Sequence, residues 1–151
     1  MASPTSRATW RTAIDDLAIR NLVARLAQAA DDRDETSYRA CLAQTVSTNV
    51  EGKLLQISAD DYAHAAIARL ARTDWTHHIL MNPVICVDQS ELHASASIDV
   101  VVEIARVEVT AGRLRETKGG RYSLEFISQD GVWQITRRTV RWRYSDVKRC
   151  L

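Results

Sequence analysis

The stretch from Leu92 to Val109 constrains the fold most, because apolar and polar residues alternate along it. Successive side chains of a strand point to opposite faces of a sheet, so this alternation predicts one long strand with an apolar and a polar face. The residues on the apolar face are Leu92, Ala94, Ala96, Ile98, Val100, Val102 and Ile104. The chain is therefore expected to contain a sheet that is covered on one side.

Further strand-like segments lie on both sides of this stretch. The apolar residues of 76–87 occupy both parities, which is typical of a strand covered on both faces. Gln129-Asp130-Gly131 is a strong turn signal and predicts a hairpin between its flanking segments. Residues 110–119 are charged and contain glycine, and are expected to form a turn. Strands are predicted at 45–50, 53–57 (after a turn at Glu51-Gly52), 76–87, 121–128 and 132–144.

The first half of the chain is mainly helical in pattern. Apolar residues recur at three- and four-residue steps from about Thr9, and no glycine or proline intervenes before Asp32, so one or two helices are expected there. Residues 1–8 are expected to form a flexible leader. A short helix is predicted over 36–43, and Ser58 can cap a third helix over 59–72.

The order of these elements, helices first and long strands afterwards, predicts an α+β fold. In such a fold, helices are segregated to one side of a curved antiparallel sheet. We expect about three helices on the concave side of that sheet. No internal repeat or low-complexity tract divides the sequence, so residues 1–151 are expected to form a single domain.

The composition excludes several functions. Hydrophobic residues make up 46% and charged residues 26%, which is typical of a globular protein. The net charge is +1, so no overall field attracts nucleic acid or an anionic membrane. The cysteines (Cys41, Cys86 and Cys150) are widely spaced, which favours reduced thiols over a disulfide framework or a zinc site. We expect a soluble cytoplasmic protein with no metal and no nucleic-acid or membrane partner.

Two histidines lie in the apolar segment 76–87, and strand parity separates them. His78 shares a face with Thr76 and Asn82, which are polar residues that could orient its ring. His77 shares the other face with Ile79 and other apolar residues. His78 is therefore the better candidate for chemistry. The alternative for each histidine is a structural role in which its ring only satisfies its hydrogen bonds.

Helix phase and strand parity single out two further charged residues. At about 100° per residue, Asp31 lies on the small, apolar side of the first helix, whereas Asp32 lies on the solvent side. The alternative is that both are surface acids that end the helix. Arg138 has the parity of Val140 and Trp142 on the last strand, and an arginine on an apolar face requires an anionic partner.

Three local patterns carry a resemblance to a known family. They are Ala29-Ala30-Asp31-Asp32-Arg33-Asp34 followed by Tyr38 and Leu42; Thr76-His77-His78-Ile79-Leu80-Met81-Asn82; and Gly120-Arg121-Tyr122 followed by Phe126, Asp130-Gly131-Val132-Trp133-Gln134-Ile135 and Arg138. In this order and spacing, the chain resembles the SnoaL-like branch of the cone-shaped α+β fold shared by nuclear transport factor 2 and scytalone dehydratase. The patterns span about residues 12–143.

The resemblance implies roles for the three charged residues. In dehydratases and dehydrochlorinases of this kind, an aspartate ending the first long helix pairs with a histidine on a strand, and these residues are Asp31 and His78 here. His78 would act as general base, Asp31 would hold its tautomer, and Arg138 would stabilise the leaving group. Relatives often carry lysine or tyrosine where this chain has Leu26. Tyr38, Tyr62 and Tyr122 are the residues that could substitute, and the sequence does not choose among them.

The function that these observations favour is a cofactor-independent lyase, a dehydratase or related eliminase. Its substrate would be a hydrophobic polyketide-, steroid- or polycyclic-type molecule. The alternatives are an isomerase or aldol-type cyclase with the same dyad, or a non-catalytic binding or assembly module. The expected substrate-binding residues are Leu26, Tyr38, Tyr62, Asn82, Tyr122 and Trp142. We also expect a homo-oligomer, either a dimer or a trimer.

Overall fold

The computed structural model describes residues 4–50, 53–88, 90, 92–108 and 112–149. The elements within these ranges are α1 (Pro4–Asp32), α2 (Glu35–Ala40), β1 (Leu42–Val50), β2 (Lys53–Ser58), α3 (Ala59–Leu70), β3 (Trp75–Val87), β4 (His93–Glu108), β5 (Gly112–Gln129) and β6 (Val132–Arg149). Three helices pack on a curved, unclosed six-stranded sheet, which confirms the predicted α+β class. In the described part of the chain, no helix is long and apolar enough to cross a membrane.

The sheet has the strand order β2-β1-β6-β5-β4-β3. Every neighbouring pair is antiparallel except β1 and β6, which run parallel, so the sheet is mixed. The prediction of an antiparallel sheet is therefore wrong for this one pair. The register sets Leu42 beside Ile135, and the backbone N–H of Ile135 donates to the carbonyl of Cys41 at 3.0 Å. Because α2 delivers the chain to the end of the sheet where β6 begins, β1 has to follow β6 in the same direction.

The core lies between the helices and the concave face of the sheet. The predicted alternation of β4 is confirmed, because its residues from Ala94 to Val102 are buried at every second position. Ile19 and Leu22 of α1 are almost completely buried against this face. The indole Nε1–H of Trp133 donates to Asp15 at 2.9 Å and so ties the middle of α1 to the start of β6. Apolar burial and this hydrogen bond fix the position of α1 on the sheet.

The turns show which local predictions succeed. Ser58 caps α3, as predicted, by accepting a hydrogen bond from the backbone N–H of Asp61. Asp130 and Gly131 have φ angles of 52° and 79°, so the predicted hairpin turn is confirmed. The short second helix ends at Ala40 because Leu42 already belongs to β1. The predicted turn at Glu51-Gly52 lies outside the described residues.

Two predicted irregular segments are regular in the structure. Helix α1 begins at Pro4, so residues 4–8 are helical and not a flexible leader, while residues 1–3 lie outside the described part. Strand β5 begins at Gly112, so the prediction of a turn over 110–119 is wrong for residues 112–119. The charges that suggested a turn are paired between strands: Arg106 binds Glu116 at 2.6 Å across β4 and β5.

Strand β3 departs from ideal alternation at Asn82. Its φ of 50° and a register shift between Met81 and Val84 mark a bulge in the pairing with β4. As a result, Asn82 does not share the inner face with His78. The sequence predicted that β3 is covered on both faces. Among the described residues of this chain none covers its outer face, where Ile79 and Val84 are exposed. The predicted homo-oligomer stays a prediction.

A second irregularity brings β5 and β6 into close contact at Gly119 and Gly120. The register of the two strands shifts between these glycines. A Cβ atom added to Gly120 would lie 2.5 Å from the carbonyl oxygen of Arg141 and 2.9 Å from Cα of Trp142. Both are backbone atoms, which cannot move aside as the end of a flexible side chain can. Glycine is therefore required at position 120.

We predict that Gly120→Ala lowers the free energy of unfolding by about 1–3 kcal/mol, because the added methyl group forces the two strands apart. Urea denaturation followed by circular dichroism measures this as a lower midpoint. Ser123→Ala is the matched control, since Ser123 is an exposed residue of the same strand. Equal midpoints for the two variants would contradict the close approach.

Candidate active site

The carboxylate of Asp31 lies at the end of α1 and connects this helix to β3. It accepts three hydrogen bonds from β3: one from the Thr76 hydroxyl at 2.9 Å, one from the backbone N–H of His78 at 2.8 Å, and one from the ring Nδ1 of His78 at 2.6 Å. The Asp31 side chain is 16% exposed, whereas Asp32 is exposed. The structure thus brings together Asp31 and His78, the pair that helix phase and strand parity selected.

The hydrogen bond to Asp31 determines which nitrogen of His78 is free. A carboxylate accepts, so Nδ1 carries the proton and donates it, and Nε2 keeps its lone pair. Burial lowers the pKa of His78, and the hydrogen bond and charge of Asp31 only partly oppose this. The ring is therefore neutral at pH 7. His77 is different, because its ring is 65% exposed and lies 3.9 Å from Asp31.

Arg138 extends from β6 into the interior without a carboxylate partner among the described residues. Its Nη1 donates to the hydroxyl of Tyr38 at 3.4 Å, and its guanidinium lies 4.5 Å from the centre of the Tyr122 ring. The Nε atom is buried and has no hydrogen-bond partner. Burial opposes the charge, but the contacts with the tyrosine oxygens favour it and the pKa of Arg138 is raised. A guanidinium keeps its proton in proteins, so the side chain is cationic. A buried cation with an unused N–H is suited to bind an anion.

A small cavity lies between these groups. Its polar lining consists of His78, Tyr38, Tyr122 and Arg138, and Leu26 contributes to its apolar wall. The volume is about 20 Å³, which is enough for one water molecule. The cavity therefore surrounds a single small group with one base, one cation and two phenols.

A larger open groove lies next to this cavity, between α1 and β3. It has a volume of about 380 Å³ and includes Asp31, His77 and Gln28 in its lining. His78, Ala27 and Leu80 line both the groove and the inner cavity. These three side chains separate the two spaces, and His78 can be reached from each.

The other residues predicted to bind substrate differ in their positions. Leu26, Tyr38 and Tyr122 line the inner cavity, and Tyr62 is half-buried beside the core without lining it. Trp142 is 41% exposed and packs edge-on against Tyr122, with ring centres 6.4 Å apart.

Asn82 is not brought to the cavity. It is exposed and donates to Asp99 at 3.2 Å, because the bulge in β3 turns it away. Ala27 and Leu80, which the sequence analysis did not select as binding residues, take part instead. Both could have been predicted from the sequence, because Ala27 lies on the same helix face as Asp31 and Leu80 on the same strand face as His78. No cluster of three or more potential metal ligands occurs among the described residues.

Solved structures with the same fold include several proteins of low sequence identity. The protein Kfla4162 from Kribbella flavida is 22% identical, with a TM-score of 0.80 over 89% of this chain and 95% of that one. A candidate scytalone dehydratase from Novosphingobium aromaticivorans is 17% identical (TM-score 0.79; 91% and 90% covered), and a type 2 hexachlorocyclohexane dehydrochlorinase is 16% identical (TM-score 0.79; 95% and 95%). At these identities, the likeness shows the fold alone. No curated protein matches the sequence.

The family is identified by the sequence itself. The profile of the SnoaL-like domain matches residues 11–139, which covers most of the chain. The match begins in α1 and ends in β6, and it includes Asp31, His78 and Arg138. The resemblance found in the three sequence patterns is confirmed, and the chain belongs to the SnoaL-like domain family.

Proposed function

We propose that the protein is a cofactor-independent lyase that removes a proton from carbon and expels a leaving group from a hydrophobic small molecule. The observation that carries the proposal is the 2.6 Å hydrogen bond between Asp31 and His78 beside a cavity that also holds Arg138. A base, a group that orients it and a buried cation facing one small space are the parts that such an elimination needs.

His78 is the general base in this proposal. Its Nε2 is free to take a proton, and its lowered pKa keeps the ring neutral at pH 7. Asp31 holds the ring in the required tautomer and stabilises the imidazolium that forms after proton transfer. The bonds from Thr76 and from the backbone of β3 keep this carboxylate in place during the reaction.

Arg138 stabilises the negative charge that develops on the leaving group. The unpartnered Nε–H and the absence of a carboxylate partner in the described residues leave the guanidinium available for that charge. In a buried site such an interaction is stronger than in water, because little solvent screens it. The stacking on Tyr122 keeps the guanidinium oriented without neutralising it.

In this proposal the inner cavity binds the leaving group and the groove binds the rest of the substrate. The inner cavity is large enough for a leaving hydroxyl group, and the groove is large enough for the carbon skeleton. The space beside the base and the cation holds only one small group, which favours elimination of such a group over cyclisation of a chain folded there. The names of two proteins with this fold, a candidate scytalone dehydratase and a hexachlorocyclohexane dehydrochlorinase, also support elimination. A polycyclic or polyketide-like alcohol is the proposed substrate class.

The first prediction concerns the base. 5-Nitrobenzisoxazole reports proton removal directly, because loss of its C3 proton opens the ring to a coloured phenolate. His78→Ala should lower kcat/KM for this probe by about 10²–10⁴-fold, since the general base is lost. His64→Ala, which removes an exposed imidazole that lines neither space, is the matched control and should stay close to the unmodified protein. If His78→Ala keeps its activity and His77→Ala loses it, the base has been assigned to the wrong histidine.

The second prediction concerns the cation. Arg138→Met should lower kcat by about 10²-fold, as expected for the loss of one group that stabilises an oxyanion. The same change should not lower the free energy of unfolding, because it removes a buried charge with an unused donor. Kinetics with 5-nitrobenzisoxazole and urea denaturation measure the two effects. A large loss of stability together with unchanged kcat would show that Arg138 has a structural role only.

The third prediction concerns pH. The ordinary pKa of histidine is 6.5, and that of His78 is lower, so kcat/KM should be constant near pH 7 and fall about tenfold per unit below the pKa of His78. The free energy of unfolding also decreases as the pH falls. A lowered pKa means that the unfolded chain binds the proton first, so stability is full above pH 6.5 and declines as the pH falls through the His78 pKa. A kcat/KM midpoint above pH 6.5 would contradict both statements.

A further inference from the structure

The hydroxyl proton of Tyr38 has no acceptor among the hydrogen bonds of the candidate active site. Tyr38 lies in α2 and is 2% exposed, and its side chain lines the inner cavity with His78 and Arg138. The hydroxyl oxygen accepts a hydrogen bond from Arg138 at 3.4 Å. A phenol can also donate one. Among the hydrogen bonds of the described residues, none has this hydroxyl as donor, so its proton is available to a molecule in the cavity.

The protonation state of Tyr38 suits a donor. Burial raises the pKa of Tyr38 to about 12, although the nearby charge of Arg138 opposes the shift. The hydroxyl therefore keeps its proton near pH 7, where the ring of His78 is neutral. Donor and base are present together at neutral pH.

The backbone holds Tyr38 at the cavity. Asp34 caps α2 by accepting from the N–H and the hydroxyl of Ser37, and the backbone N–H of Tyr38 donates to the carbonyl of Asp34 at 2.9 Å. Leu26, on the neighbouring wall of the same cavity, has no polar side-chain atom. A donor in addition to Arg138 can thus come from α2 and not from position 26 of α1.

We propose that Tyr38 is a catalytic hydrogen-bond donor to the leaving oxygen of the substrate, acting beside Arg138. This inference rests on the proposed lyase function and adds to it a second hydrogen-bond donor for the leaving group. The inner cavity has the volume of one water molecule, the product that a leaving hydroxyl group forms.

The bond changes in this step balance. The C–H bond breaks, its proton passes to Nε2 of His78, and its electron pair forms the new carbon–carbon double bond. The carbon–oxygen bond breaks and leaves its electron pair on the oxygen, which accepts hydrogen bonds from Tyr38 and Arg138. That oxygen then takes the proton from the His78 imidazolium and leaves as water, which restores the neutral base.

A series of benzisoxazoles that differ in the pKa of the departing phenol tests this role. For Tyr38→Phe we expect kcat/KM with 5-nitrobenzisoxazole to fall about 10- to 100-fold. We also expect a steeper dependence on leaving-group pKa, because poorer leaving groups need the donor more. The acid limb of the pH profile should not move, since it reports His78. Tyr144→Phe, which removes an exposed hydroxyl elsewhere on the sheet, is the matched control.

Binding of 4-nitrophenolate separates this inference from the lyase proposal, because it requires no turnover. Tyr38→Phe should bind this anion about tenfold or more weakly than the unmodified protein, while the control Tyr144→Phe should bind it equally well. Equal affinity for Tyr38→Phe with an unchanged leaving-group dependence would overturn the role of Tyr38, and so would a failure of the unmodified protein to bind. Equal turnover of benzisoxazole by His78→Ala and the unmodified protein would instead overturn the lyase proposal.

Discussion

The rest of the site depends on the half-buried carboxylate of Asp31 and its hydrogen bonds. Strand β3 is at the edge of the sheet and has a strand neighbour, β4, on one side only. The three hydrogen bonds from Thr76 and His78 to Asp31 tie its inner face to α1. An isolated buried carboxylate is costly, and these three donors offset that cost. One residue therefore joins helix to sheet, sets the tautomer of the imidazole and forms part of the outer groove.

Much of this arrangement could be predicted from the sequence, because helices and strands have fixed periods. Helix phase separated Asp31 from Asp32, and strand parity separated His78 from His77, in agreement with their burial. The same parity rule failed at Asn82. A positive φ at a non-glycine residue is not visible in a pattern of apolar and polar letters, so alternation cannot be extended across a bulge.

Other features depend on contacts between distant segments. The parallel pairing of β1 with β6 follows from where α2 delivers the chain, and the first half of β5 is a strand because its charges are paired with those of β4. The hydrogen bond between Tyr38 and Arg138 joins positions 100 residues apart. The sequence left three tyrosines, Tyr38, Tyr62 and Tyr122, as equal substitutes for the polar residue that relatives carry at the position of Leu26. The structure places Tyr38 and Tyr122 in the inner cavity beside Arg138, and it places Tyr62 outside the lining of that cavity.

The three hydrogen bonds to Asp31 also bear on how a protein of this kind can change during evolution. Two of them come from the Thr76 hydroxyl and the backbone N–H of residue 78, so they do not depend on the side chain at position 78, proline excepted. A lineage can therefore lose the imidazole, keep a folded domain with an intact cavity, and later regain a base at the same place. The scaffold itself therefore does not decide whether a base stands at this place.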